Sequence, residues 1–327
     1  MRKAGKLIKH LGVLTSGGDA PGMNAAIRSV VRSALDRNLK VTGVQRGYWG
    51  LLSGDFQDMD SRSVGNIISR GGTILRTVRC PEFRERRNRE KAYRHITAAG
   101  LDALVAIGGN GTSAAAYTIH QELGLPVAVV PASIDNDIFG TDETVGFDTA
   151  VNTAVEAIDK IRDTAGSHER IFVAEVMGRN NGFIAQEVGL CCGAEAVLVP
   201  EVAFDLKKIC RELALGRKRG KLSSIIIMAE GAGDSRKIAA EINGHMGLEV
   251  RVSVLGYIQR GGNPSARSRL LAARLGSTAV RALCEGRTAV LAAVQKGAFV
   301  AAPLLPAVKQ TKRIDHKAYQ LTYQLAL

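Results

Sequence analysis

The stretch Pro131-Ala132-Ser133-Ile134-Asp135-Asn136-Asp137 brings a hydroxyl, two carboxylates and an amide into five consecutive positions. A carboxylate there can take a proton from a substrate hydroxyl while its neighbours orient it or reach for a metal. Asp135 and Asp137 lie two apart, so an extended segment would point both side chains the same way. The same residue types also build plain polar turns that cap a following helix. The apolar run Val127-Ala128-Val129-Val130 comes just before, so the carboxylates stand where a buried strand gives way to a loop. In an open α/β sheet that is where ligands bind.

Two glycine-rich segments could supply the other half of such a site. Ser16-Gly17-Gly18-Asp19-Ala20-Pro21-Gly22-Met23-Asn24 follows the run Leu11-Gly12-Val13-Leu14-Thr15 and opens a stretch with apolar residues at Ile27, Val30, Val31 and Leu35. Gly108-Gly109-Asn110-Gly111-Thr112 follows Leu101–Ile107. A strand, a glycine turn and a helix in that order put bare backbone amides and the positive end of a helix at a phosphate-sized site. Thr112 adds a hydroxyl donor. Neither segment is GxGxxG or GxxxxGK[ST], so the dinucleotide and Walker fingerprints do not apply.

Net charge is +13 over 327 residues, which suits small polyanions or nucleic acid. Arg79, Arg170, Arg179, Arg251 and Arg260 stand singly inside motifs rather than in one basic arm, a spacing that fits separate phosphate clamps. Arg76, Arg79 and Arg84 share the segment 74–84, read as a loop of Gly/Pro character that follows Gly71-Gly72 and holds Pro81. The runs 84–87 and 217–221 read as solvated faces. With eight Phe, six Tyr and one Trp and no aromatic-basic interleaving, nucleic-acid binding has little to stand on.

Elements must carry these residues to one place. Strands are predicted at 11–15, 40–45, 101–107, 127–130, 171–176, 196–199, 223–229 and 252–256, alternating with helices, including a short one at 64–69 and a polar one at 86–99. This alternation predicts an α/β fold with mainly parallel sheets and right-handed crossovers. The length suits two domains, three-layered α/β units with the active crevice between them. Five cysteines, with no CxxC and no Cys/His cluster, argue against a disulfide framework or zinc site. No apolar stretch approaches the roughly 20 residues of a membrane span, and Met1–Lys6 reads as a basic tail rather than a signal peptide. A cytoplasmic protein without nucleic-acid or membrane partners is expected.

With these motifs assembled, the chain resembles the bacterial 6-phosphofructokinase family of the ATP-using type. The carrying motifs are 12–24, Gly71-Gly72-Thr73 with Arg79, 108–112, 133–137, Val176-Met177-Gly178-Arg179 and Leu255–Gly262. The resemblance implies transfer of the γ-phosphoryl of ATP to O1 of fructose 6-phosphate with Mg²⁺ present. Asp135 then matches the catalytic base, with Ser133 and Asp137 beside it, and Arg179 lies over the transferring phosphoryl. Gly17, Arg79, Cys80, Gly109, Asn110, Gly111 and Thr112 match nucleotide-loop positions. Met177, Gly178, Glu230, Tyr257 and Arg260 match contacts to the sugar phosphate. Arg170 and Arg251 match arginines lent by a neighbouring subunit, which implies a homotetramer. The implied domains are 1–146 plus 259–309 for the nucleotide and 147–258 plus 310–327 for the sugar phosphate.

Departures from the family pattern matter. Its metal-binding Asp is Asn110 here, whose amide oxygen can ligate Mg²⁺ without bringing charge. Tyr257 stands for a His, and Arg76 for a small residue. Pyrophosphate-using relatives carry an Asp and a Lys where this chain has Gly111 and Ala132, so ATP is the expected donor. The alternatives are pyrophosphate use and a catalytically weakened regulatory subunit. Arg28, Arg32, Arg162, Glu195, Arg219 and Lys221 match a regulatory effector site, but Ser61 and Ser223 stand where Arg and His are usual, so altered allostery is expected.

Overall fold

A computed structural model describes residues 8–326. The basic segment 1–6 lies outside the described residues. Along the chain run β1 (His10–Ser16), α1 (Met23–Leu35), β2 (Lys40–Val44), α2 (Tyr48–Ser53), β3 (Phe56–Asp58), α3 (Arg86–Ala98), β4 (Ala103–Gly108), α4 (Asn110–Leu123), β5 (Val127–Ser133), β6 (Val145–Gly146) and α5 (Phe147–His168). There follow β7 (Ile171–Val176), α6 (Phe183–Cys192), β8 (Ala196–Leu198), α7 (Leu206–Lys218), β9 (Ser224–Ala229), α8 (Ser235–Met246) and β10 (Val250–Val254). The chain ends with α9 (Ala266–Cys284), β11 (Val290–Gln295), β12 (Ala298–Pro303), α10 (Leu304–Lys309) and α11 (His316–Leu325). No described helix is long and apolar enough to cross a membrane.

The described chain divides into two compact units. The first takes the chain up to Ser133, then Asp137–Asp148 and Arg260–Lys312; the second takes Ile134–Asn136, Thr149–Gln259 and the chain from Arg313.

The first unit is built on the strand order β12-β11-β5-β4-β1-β2-β3, with β6 beside β5. β1, β2, β4, β5 and β11 run parallel; β3 and β12 are antiparallel edges. Strands covered on both faces must be apolar throughout. β1 and β4 are buried at every position, and Leu11, Val13, Leu14, Val105 and Ile107 are wholly inaccessible. Helices α1 and α9 cross closely because Gly276 has no side chain: a Cβ there would fall 2.7 Å from that of Ser29. The Ser29 hydroxyl donates to the Ala273 carbonyl at 2.5 Å across the same crossing.

The second unit has the parallel order β10-β7-β9-β8. β9, Ser-Ile-Ile-Ile-Met-Ala, is buried throughout and packs with Ile171, Val173, Leu198 and Leu213. Asp205 and Asp234 cap α7 and α8, each carboxylate accepting two first-turn amide hydrogens.

Two sequence expectations fail. Residues 64–69 form successive turns rather than a helix. Only i→i+3 bonds form there (Gly65 N–H to Arg62 O, Arg70 N–H to Ile67 O), and Asn66 sits at φ 54, where a helix cannot continue. The β11–β12 hairpin was missed, although its turn is readable: Lys296 and Gly297 both take positive φ, as a two-residue hairpin turn requires.

Candidate active site

In the first unit the carboxyl ends of β1, β4 and β5 stand side by side, with Ser16 opposite Gly108 and Gly108 opposite Pro131. Parallel neighbours lie about 4.8 Å apart, so the loops that follow share one edge of the sheet. Glycine is required where they touch. A Cβ on Gly108 would fall 2.3 Å from the Ser16 carbonyl oxygen, and Gly17 holds φ 88. Gly109 is the residue before α4, with no side-chain cap on the helix and no acidic residue in its first turn. Asn110, Gly111 and Thr112 are therefore that first turn, and the leading N–H groups are donors for an anion. A Cβ on Gly111 would meet nothing within 4 Å.

Thr112 departs from expectation. It is buried, and its hydroxyl donates to the Ser16 carbonyl at 3.0 Å. The hydrogen offered to a ligand in the sequence-based view is committed to joining β1 to α4.

The segment 70–80 is fastened to the same edge. Asn24, buried on α1, donates to the carbonyls of Arg70 and Gly71 and accepts from Ile74 N–H. Thr15 at the end of β1 lies 2.8 Å from the Thr73 hydroxyl and donates to the Arg76 carbonyl at 2.9 Å. Thr77 donates to the Gly17 carbonyl at 2.7 Å. Cys80 precedes a short 3₁₀ turn (Pro81–Arg84), and partial burial pushes its thiol up. Arg79 is exposed.

The carboxylate pair does not behave as an extended strand. Residues 134–135 turn, and Asn136 takes φ 52, a conformation its short polar side chain tolerates. Asp137 accepts from the Asn110 amide Nδ2 at 2.8 Å within the first unit. Asp135, 4% exposed, lies 3.4 Å from Arg179 Nε within the second. The two side chains thus serve different partners, contrary to the shared direction expected. Ser133 ends β5, where its carbonyl accepts from Thr144.

In the second unit, Met177-Gly178-Arg179 leaves β7 in a turn with φ 145 at Gly178 and 53 at Arg179. Glu230, just past β9, accepts from the backbone N–H of Gly178 (3.1 Å) and of Arg179 (2.7 Å). Gln259 is wholly buried and accepts from Met177 N–H at 2.9 Å. Gly231 must lack a side chain because its Cβ would fall 2.1 Å from the Arg179 carbonyl. This turn presents the Arg179 guanidinium, 58% exposed, beside Asp135.

Arg170 and Arg251 come together through Glu249, which ion-pairs with both, at 2.7 Å for Arg170. They stand at the amino ends of β7 and β10. The six residues of β7, roughly 20 Å of extended chain, separate them from Met177–Arg179. Tyr257 is 82% exposed. Arg260, in the first unit, lies over the Gly18-Asp19 turn: its Nη1 is 3.4 Å from the Asp19 carbonyl, and a Cβ on Gly18 would come within 2.3 Å of it.

Of the effector candidates, Lys221 and Arg162 meet around a third, Glu195. Lys221 lies 2.9 Å and Arg162 4.0 Å from its Oε1, while Oε2 accepts from Ile225 N–H. Glu195, Arg219 and Lys221 border a cavity of ≈ 840 Å³ whose other walls include Phe204, Leu213, Tyr319 and Tyr323. Arg28 and Arg32 are on α1 of the first unit. Nearby, burial pushes the Cys192 thiol up to about 11, so it is not a ready nucleophile.

Sequence reasoning quoted Thr15, Asn24 and Gln259 inside motifs without giving them a role, and missed Glu249 altogether. Asn24 carried a further signal, an amide on the apolar face of an amphipathic helix.

A sequence model described as phosphofructokinase matches residues 10–283. The chain is 52% identical over 322 residues to the ATP-dependent 6-phosphofructokinase 1 of Thermus thermophilus, covering 98% of this chain and 100% of that one. It is 46% identical over 319 residues to the ATP-dependent 6-phosphofructokinase of Thermotoga neapolitana, with the same coverage. Among solved structures, the phosphofructokinase of Saccharomyces cerevisiae superposes with a TM-score of 0.90 at 33% identity, over 97% of this chain and 48% of the longer yeast chain. Strand-end glycine loops, the Asp135–Arg179 pair and these end-to-end similarities lead to one conclusion: the chain belongs to the phosphofructokinase family.

Proposed function

We infer that this chain transfers the γ-phosphoryl group of ATP to O1 of fructose 6-phosphate, giving fructose 1,6-bisphosphate. The observation that carries the inference is the buried Asp135 carboxylate 3.4 Å from the exposed Arg179 guanidinium, within the second unit. The near-full-length relatives named ATP-dependent 6-phosphofructokinase supply the substrates.

Phosphoryl transfer asks for positioning and charge stabilisation more than covalent chemistry. The first unit takes the nucleotide: the amides opening α4 and the Gly17 turn cradle its phosphates, and Arg79 adds charge. Space beyond Gly111 favours a triphosphate over pyrophosphate. The second unit takes the sugar through Met177, Gly178 and the second oxygen of Glu230. Asp135 accepts the hydroxyl proton as the sugar oxygen attacks. Arg179 orients that carboxylate and stabilises the charge gathering on the transferring group.

Asn110 and Asp137 offer an amide oxygen and a carboxylate, hard donors that suit Mg²⁺, which keeps several waters and leans on substrate phosphates. Among the described residues no three His, Cys, Asp or Glu side chains gather into a metal cluster, so the fit rests on this sparse pair. Bound Mg²⁺ would neutralise phosphate charge. Arg170 and Arg251, remote from Arg179 along β7, are assigned to the 6-phosphate of a neighbouring copy, in a cytoplasmic homotetramer. Arg28, Arg32, Arg162, Glu195, Arg219 and Lys221 are assigned to an effector.

The test follows ADP release with and without fructose 6-phosphate, and phosphate release from pyrophosphate in parallel. Sugar-dependent ADP release is expected. Turnover with pyrophosphate alone would reassign the donor, and turnover with neither would leave a binding subunit.

A further inference from the structure

Arg76 lies in the first unit's candidate donor site and has no part in the function above. It holds φ 59, a left-handed conformation that disfavours any side chain with a Cβ. Glycine would occupy it without strain, and glycines already stand at 71 and 72. Such strain persists only where the surroundings impose it, and it clusters at ligand sites. Here they do impose it: Thr15 Oγ1 holds the Arg76 carbonyl at 2.9 Å, the Arg76 N–H donates to the Thr73 carbonyl at 3.1 Å, and Thr77 is tied to Gly17. The backbone bearing this arginine is therefore pinned to the end of β1, beside the glycine turn.

The side chain itself does nothing for the fold. Arg76 is exposed, and among the described residues its guanidinium makes no hydrogen bond, ion pair or ring contact. Arg46, also left-handed, differs in this respect: it lies 5.2 Å from the Trp49 ring and 3.9 Å from Asp55. Asn110 brings an amide instead of a carboxylate, and Asp137 already accepts from it.

We propose that Arg76 is a donor-specificity residue: a clamp for the terminal phosphates of the nucleotide, supplying positive charge that a carboxylate-poor metal site does not gather. This rests on the donor assignment above. A guanidinium offers forked donors that match phosphate oxygens, and charge-assisted bonds of that kind exceed neutral ones in strength.

Equilibrium titrations of the full-length protein with ATP, with inorganic tripolyphosphate and with adenosine test it, each in EDTA and in excess Mg²⁺. Arg76→Gly relieves the strained φ, so it folds and its melting temperature rises or holds. Its affinity for ATP and for tripolyphosphate in EDTA should fall about 10-fold, or about 1.4 kcal/mol, with a smaller loss when Mg²⁺ is present. Adenosine binding should not change, and the loss should shrink as salt is raised. Arg76→Lys should recover part of the loss, since charge remains and the fork does not. Unchanged tripolyphosphate affinity, or a change confined to adenosine, overturns the clamp. Tighter ATP binding by Arg76→Gly also overturns it, marking the arginine as an obstruction. Failure of the unmodified chain to bind ATP at all overturns the donor assignment instead.

Discussion

The two units solve the same electrostatic problem with opposite materials. In the first, the sheet edge is made from absence: Gly108 lets β4 pass the Ser16 carbonyl, and Gly17, Gly109 and Gly111 leave the backbone amides there bare, open to the anion the proposed function assigns to them. In the second, the edge is made from side chains: Asp135, Arg179 and Glu230 hold one another in place. The difference teaches what each region will not tolerate. The first should be damaged by added atoms and the second by removed ones.

The largest effect belongs to the second unit. Asp135→Asn keeps the size and the partner position but removes the proton acceptor. General-base contributions run to about 10²–10⁴ in rate, so kcat for sugar-dependent ADP release should fall about 10³-fold. The KM for fructose 6-phosphate should change little. A variant retaining more than a tenth of the kcat would break the comparison, because the side-chain-built edge would then owe little to its central carboxylate.

Next comes an added atom in the first unit. In Gly18→Ala the new Cβ meets Arg260 Nη1 at 2.3 Å, the far end of a flexible side chain. The guanidinium can swing aside, so the melting temperature should barely move. The displaced arginine should cost about 10-fold in the KM of the substrate it holds, in line with loss of one charge-assisted contact. Arg260 is assigned to the sugar phosphate yet lies over a glycine turn assigned to the nucleotide. A rise in sugar KM sharpens the assignment, and a rise confined to ATP moves Arg260 to the donor side.

How far these features could be read in the sequence follows from their physics. Buried parallel strands such as β4 and β9 are unbroken apolar runs, and glycine turns between strand and helix stand out. The order of elements and the glycine loops were therefore legible. Partnerships set by backbone direction were not. Asn136 turns the chain left-handed, so Asp135 and Asp137 part company, which no spacing rule of period two foresees. The commitment of Thr112 to Ser16 depends on β1 and β4 being neighbours, and the bridging of Arg170 and Arg251 by Glu249 depends on β7 lying beside β10. Both are facts of sheet order rather than of local sequence.

The smallest effect probes a place where the first unit does rely on a pair of side chains. Asn110 donates to Asp137 at 2.8 Å, an amide doing what a cation would do for that carboxylate. In Asn110→Asp the bond becomes a juxtaposition of two carboxylates, which resist ionising together unless a cation sits between them. In EDTA the variant should melt lower by ~1–2 °C, the equivalent of ~1 kcal/mol in a chain of this size. Mg²⁺ should restore it, because an ion bound only by the folded state stabilises by mass action. The Mg²⁺ concentration for half-maximal turnover should fall several-fold. A large accompanying gain in kcat would mean that the native site is limited by its metal, whereas an unchanged kcat would mean that amide and arginines already suffice. If neither melting nor turnover of the variant responds to Mg²⁺ differently from the unmodified chain, Asn110 and Asp137 do not hold the ion. The first unit would then rely on backbone amides and arginine alone, and its contrast with the second would be complete.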